Sequence, residues 1–202
     1  MPLWIATKPL VLASRSEVRR RILAGAGLPV ETRPAAIDER AVEARSGAHS
    51  PADVARILAG AKAHTIAGEM PGRLVLGADQ TLTLGEQRFS KPVDRAAAVE
   101  QLRALSGKTH RLHSAVSVVC DGSLMFEKVD AAEMTMRTLS DGFIESYLDT
   151  AGAAATTSVG GYQIEGVGIH LFERIEGDSS TIMGLPLLPL LDFLRSNGFI
   201  AG

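Results

Sequence analysis

Cysteine is nearly absent from this chain: Cys120 stands alone among 202 residues. One thiol makes no disulfide framework and no cysteine-based zinc site, so a stapled secreted scaffold and a zinc module built on cysteines are both excluded. Aromatic residues are scarce at 4%, which leaves Leu, Val, Ile and Ala to build the core. A dominant charge is missing too. The formal net charge of −2 provides no global basic field for polymeric nucleic acid or an anionic membrane surface. Any polyanionic ligand must therefore be held by a local cluster of Lys and Arg. The apolar run in the opening "MPLWIATKPLVLAS" is too short for a signal segment or a membrane span, and the expected location is the cytoplasm. What is present is an ordinary globular composition, 46% hydrophobic and 22% charged, in a length suited to one sizeable core.

Strand and helix patterns alternate along the chain. "PLVLAS" (9–14) reads as a short apolar strand, followed by a helix, "SEVRRRILAGAG", with Ser16 as N-cap and Gly25 and Gly27 as stops. "LPVE" predicts a second strand and "AIDER" (36–40) a loop rich in carboxylates. The clearest helix is "SPADVARILAGAKAHTIAGE" (50–69): Ser50 caps it, Pro51 suits its first position, and Val54, Ile57, Leu58 and Ala61 share a face with Lys62 at its edge. "SKPVDRAAAVEQLRALSG" predicts a turn and a helix, and "SDGFIESYLDT" another helix. "THRLHSAVSVVC" and "LMFEKVDAAEMTM" alternate like two strands joined by Asp121-Gly122, a hairpin signal. The closing "GLPLLPLLDFLRSNG" is a Pro-punctuated helix whose apolar residues suit either burial or pairing with a second copy in a homodimer. The sum is an α/β fold with a mixed sheet, read as one domain over residues 1–202 with two lobes around a cleft.

Familiar nucleotide motifs fail. "LSGKTH" contains Gly-Lys-Thr, but a P-loop needs a glycine five residues before Gly107, where Leu102 stands. "GVGIHL" lacks the third glycine of a dinucleotide fingerprint, and no Gly-x-Ser-x-Gly is present. One anomaly remains. "LVLGADQTLTL" (74–84) reads as a buried strand yet carries Asp79, and an ionised carboxylate buried without partners costs several kcal/mol or more. An acid in that place calls for a cation, a metal or a catalytic task. Ser14, Ser16, Arg19 and Arg20 lie at a strand-to-helix junction, where backbone N–H groups and the helix dipole favour anions. By spacing alone the arginines read first as a solvated helix face.

Taken in order, "LASRSEVRRRIL", "AIDE", "LAGAKA", "GADQ", "SKP", "LSGKTHRLHSAVSV" and "GGYQIEGVGIHLFERIEGD...IMGLPL" resemble the Maf-like nucleoside triphosphate pyrophosphatases, from Val11 to about Leu191. The resemblance implies a mixed twisted sheet flanked by helices around a deep cleft, similar to the ITP/XTP pyrophosphatase fold. It also implies hydrolysis of a nucleoside triphosphate to the monophosphate and pyrophosphate with a divalent metal, Mg2+ or Mn2+. Asp79 falls on the family's proton acceptor for the attacking water, and Glu39 and Asp79 are the expected metal ligands. Ser14, Arg19, Lys62 and Lys91 match its phosphate-binding positions. Three positions track base preference in the family, and here they are Val18, Gln80 and Glu165. Gln80 and Glu165 follow the 7-methyl-GTP branch, where a carboxylate suits a cationic methylated purine. Val18 departs from that branch's Trp, losing a cation–π contact of roughly 0.5–2 kcal/mol. The alternatives are a dTTP/UTP-type enzyme and a weakly catalytic nucleotide-binding regulator of cell division. The expected partner in every case is a small nucleotide.

Overall fold

A computed structural model describes residues 3–202. In chain order the strands are β1 (Leu10–Leu12), β2 (Val30–Thr32), β3 (Val75–Leu84), β4 (Gln87–Phe89), β5 (Thr109–Cys120), β6 (Ser123–Met136) and β7 (Phe172–Glu176). The helices are α1 (Glu17–Gly25), α2 (Glu39–Ser46), α3 (Pro51–Glu69), α4 (Arg95–Leu105), α5 (Asp141–Ala151), α6 (Ser179–Ile182) and α7 (Leu187–Ser196). Short 3-10 turns fill Gly152–Thr156, Val159–Gly161 and Val167–Leu171.

Among the described residues the strands form a seven-stranded mixed sheet in the order β2-β1-β3-β5-β6-β7, with β4 beside β3. β1 is parallel to both β2 and β3, whereas β4 is antiparallel to β3 and β7 to β6. β5 and β6 are joined at Asp121-Gly122, both at positive φ, the two-residue turn the sequence predicts. Helix starts follow local chemistry. The side chains of Ser16, Asp38, Ser50, Asp94 and Ser140 each accept from a backbone N–H in the first turn of α1 to α5.

The chain divides into two compact units. The first comprises the chain as far as Gln80, His113–Asp130 and Ser180–Gly202. Its part of the sheet is covered on both faces, which explains why β1 reads as an unbroken apolar run. Leu10, Leu12, Leu76, Ala78, Val116 and Val118 pack with residues of α1 and α7 on one face. Val11, Ala13, Val75 and Val119 pack with Ala63, Ile66 and Ala67 of α3 on the other. The second unit, Thr81–Leu112 and Ala131–Ser179, carries α4 and α5 and buries Leu102, Leu105, Met134, Met136, Ile144 and Leu148.

Two local expectations change. "AIDER" is not all loop, because Asp38 caps α2 and Glu39 is its first residue. The buried face of α3 is Val54, Ala55, Leu58, Ala59, Ala63, Ile66 and Ala67, while Ile57 and Ala61 are only half-buried. The reason lies at Gly77 of β3. A Cβ there would stand 2.0 Å from the Ala59 carbonyl oxygen and 2.8 Å from the Ala63 nitrogen. Small residues on α3 and a glycine on β3 let the two backbones approach closely, and this sets the rotation of the helix.

Candidate active site

The side-chain alternation of a strand places Val75, Gly77 and Asp79 on the face of β3 that meets α3, and Leu76, Ala78 and Gln80 on the other. Asp79 is 8% exposed. Lys62, three turns along α3, reaches it with an Nζ–Oδ1 distance of 2.6 Å. The same ammonium lies 2.7 Å from Oε1 of Glu39 at the start of α2. Lys62 is therefore shared by two carboxylates, one buried and one half exposed.

Arg19 completes the cluster. Its Nε donates to the Gly184 carbonyl at 2.8 Å, and its Nη1 donates to the Ala78 carbonyl at 2.8 Å and to Ser14 Oγ at 3.3 Å. The Ser14 hydroxyl also accepts from the Ser16 amide at 3.2 Å. Gly184 holds φ at +91°, and a Cβ there would crowd the guanidinium at 3.1 Å. Arg20 turns away and pairs with Glu17 on the surface.

Burial pushes the Asp79 carboxyl above its ordinary range, opposed by Lys62 and then Arg19, while Glu39 adds to the rise. Burial likewise lowers the Arg19 guanidinium, with Asp79 and then Glu39 opposing it. The arrangement is a partly desolvated acid with raised basicity, steadied by cations that a more highly charged anion would also attract.

Five of the residues picked out from the sequence, Ser14, Arg19, Glu39, Lys62 and Asp79, thus come together in one unit. Val18 is half-buried beside Arg19 on α1, and Gln80 lies on the far face of β3 from Asp79. Lys91 and Glu165 belong to the second unit, where both are exposed. Sequence reasoning passed over Gly77, Gly184, Asp38 and Ser114. Only Asp38 has a local signal, an Asp three residues before the amide it caps.

The profile of the Maf-like protein family matches residues 9–197. The chain belongs to the Maf-like family. A curated relative from Nitrobacter winogradskyi, named nucleoside triphosphate pyrophosphatase, is 58% identical over 201 residues, covering 100% of both chains. One from Mesorhizobium japonicum, named 7-methyl-GTP pyrophosphatase, is 54% identical over 198 residues, covering 97% of this chain and 100% of its own. A solved HAM1 protein from Coxiella burnetii is 16% identical with a TM-score of 0.41, over 63% of this chain and 72% of that one. Among the described residues of this Maf-like chain, no helix is long and apolar enough to cross a membrane.

Proposed function

We propose that this chain hydrolyses the α–β phosphoanhydride of a nucleoside triphosphate, with Asp79 accepting the proton of the attacking water. The chain is a nucleoside triphosphate pyrophosphatase of the Maf-like family, the activity named for full-length relatives at 53–58% identity. The observation that carries the mechanism is the Glu39–Lys62–Asp79 chain of contacts, at 2.7 and 2.6 Å, with Arg19 and Ser14 beside it.

As the water oxygen attacks the α-phosphorus, its proton passes to Asp79, the bond to the bridging oxygen breaks and pyrophosphate leaves. Burial favours this role, since a carboxylate with a raised pKa is a stronger base. Lys62, Arg19 and Ser14 supply donors to the phosphates, with Lys91 assigned to the same task by the family resemblance. A triphosphate competes with Asp79 and Glu39 for the Lys62 ammonium, so its arrival releases the base.

A divalent cation fits this donor set. Asp79 and Glu39 already share a cation, and Mg2+ binds through one or two carboxylates together with waters and substrate phosphates. Among the described residues no group of three or more His, Cys, Asp or Glu is assembled, so Glu39 and Asp79 would supply only part of the coordination. When bound, the cation neutralises phosphate charge and acidifies bound water.

For the base, the reading is a modified purine such as 7-methylguanine, with Gln80 and Glu165 as its recognition residues and Val18 in place of a stacking aromatic. The test is pyrophosphate release with Mg2+ from 7-methyl-GTP, dTTP, UTP, CTP, GTP and ITP, comparing wild type with Asp79→Asn. Turnover concentrated on 7-methyl-GTP and lost in the variant is the expected result. Preference for dTTP or UTP would keep the mechanism and reject the base assignment. Binding without turnover by the wild type would reject the enzyme.

A further inference from the structure

Gln80 ends the first segment of the first unit, and its amide nitrogen faces three acceptors. Nε2 donates to Ser114 Oγ at 2.9 Å and to the Ile182 carbonyl at 2.9 Å, with the Thr181 carbonyl at 3.3 Å. Ser114, on the neighbouring strand β5, is 0% exposed, and its hydroxyl donates to the Thr181 carbonyl at 2.7 Å. That second bond fixes the direction of the first. With its one hydrogen on Thr181, Ser114 Oγ offers Gln80 only lone pairs.

A flipped carboxamide would set Oε1 against the Thr181 and Ile182 carbonyl oxygens at hydrogen-bond distance, with no hydrogen between them. The amide therefore has one orientation, and Oε1 is the end these acceptors do not hold. Gln80 can act toward a ligand as an acceptor only. We infer that Ser114 is a positioning residue, which with the Thr181 and Ile182 carbonyls sets Gln80 to select bases presenting an N–H on the Watson–Crick edge. In chemical terms these are purines with hydrogen at N1 or pyrimidines with hydrogen at N3. The inference rests on the reading above that Gln80 meets the base.

A site built to accept from an N–H discriminates strongly against a ligand that offers a lone pair instead. The experiment measures kcat/KM for GTP, ITP, UTP and 7-methyl-GTP, which carry that N–H, against ATP and CTP, which carry a bare nitrogen. Wild type is expected to favour the first group at least about tenfold. Ser114→Ala should cut that ratio several-fold, with the change carried mainly in KM, and Ser114→Thr, which keeps the hydroxyl, should restore it. Loss of folding in Ser114→Ala leaves the test intact, because the wild-type ratio and the Thr variant still decide. No preference in the wild type overturns the acceptor assignment. A Gln80→Ala variant that keeps the wild-type preference rejects the underlying reading of Gln80. A Gln80→Ala variant that loses the preference while Ser114→Ala keeps it rejects the role of Ser114 alone.

Discussion

In the first unit, Asp79 and Glu39 share the Lys62 ammonium with Arg19 close by; in the second, His110, Tyr147 and Tyr162 are buried together without a charged partner. His110 Nε2 lies 2.7 Å from the Tyr162 hydroxyl, Tyr147 donates to the Gly161 carbonyl at 3.0 Å, and Phe172 closes edge-on against Tyr162. Burial lowers the His110 pKa to about 4 and pushes Tyr147 up to about 12, with Tyr162 raised as well. Burial disfavours charge in both clusters, but only in the first do neighbouring opposite charges work against it. Where opposite charges converge, an acid remains with a cation on either side; where none do, every group is held in its uncharged form. The first arrangement suits chemistry on an anion. The second suits a fixed scaffold for the segment from Gly160 to Leu171, which includes Glu165.

The comparison breaks most sharply at Asp79. Replacing it with Asn should reduce turnover by about 10²–10⁴-fold, the usual contribution of a positioned general base, while leaving nucleotide binding largely intact by titration. No substitution in the second cluster should match that. The pH profile carries the same signature. With Asp79 in the proposed role of proton acceptor, kcat/KM, which follows the free enzyme, should fall on an acid limb lying above the ordinary carboxyl value of 3.8, because burial raises its pKa. The stability sign is opposite to that of an ordinary paired carboxylate. The contribution of Asp79 is present below its unfolded value and is lost as pH rises through the folded one. Measuring unfolding free energy against pH for wild type and Asp79→Asn would expose the difference.

Next in size is Gly77→Ala, which drives a methyl group into the backbone of α3. With a contact of 2.0 Å to relieve, the expected loss is about 3 kcal/mol or more by denaturant unfolding, with turnover impaired as Lys62 is displaced. The neutral cluster should show itself in acid. His110 is neutral when folded and takes a proton below 6.5 when unfolded. Its contribution is therefore full above pH 6.5 and lost progressively down to about pH 4, in all about 3 kcal/mol. His110→Gln should flatten that part of the stability curve. Tyr162→Phe, which removes one buried hydrogen bond, should cost about 1–2 kcal/mol. The smallest effect belongs to Arg20→Ala: its pair with Glu17 is on the surface, and neither midpoint nor turnover should move measurably.

Much of this molecule is legible in short windows. The Ser16 and Ser50 caps, the Asp121-Gly122 hairpin and the buried acid of β3 depend on neighbours within a few residues, and each can be seen in the order of residue types. Even so, Asp38 as a cap was hidden within a carboxylate-rich stretch that reads equally well as loop. Ile57 and Ala61 show where periodicity stops. Apolar spacing marks α3 as a helix but does not set its rotation, which depends on the close packing of Ala59 and Ala63 over Gly77.

The sequence by itself determined that the chain is α/β, that its local cations must do what its net charge does not, and that an acid interrupts an apolar strand. Only the tertiary structure decided which cations reach that acid and which do not. Lys62 meets Asp79 across 17 residues of sequence, Arg19 meets the Ala78 carbonyl across 59, and Arg20 next door points to solvent. The direction of the Gln80 amide is likewise set by Ser114, 34 residues away. The physical reason is range. Helix and strand periods act over a few residues, whereas ion pairs and buried hydrogen bonds depend on distance and angle in space, which the packing of α1 and α3 against the sheet and of α2 against α3 supplies.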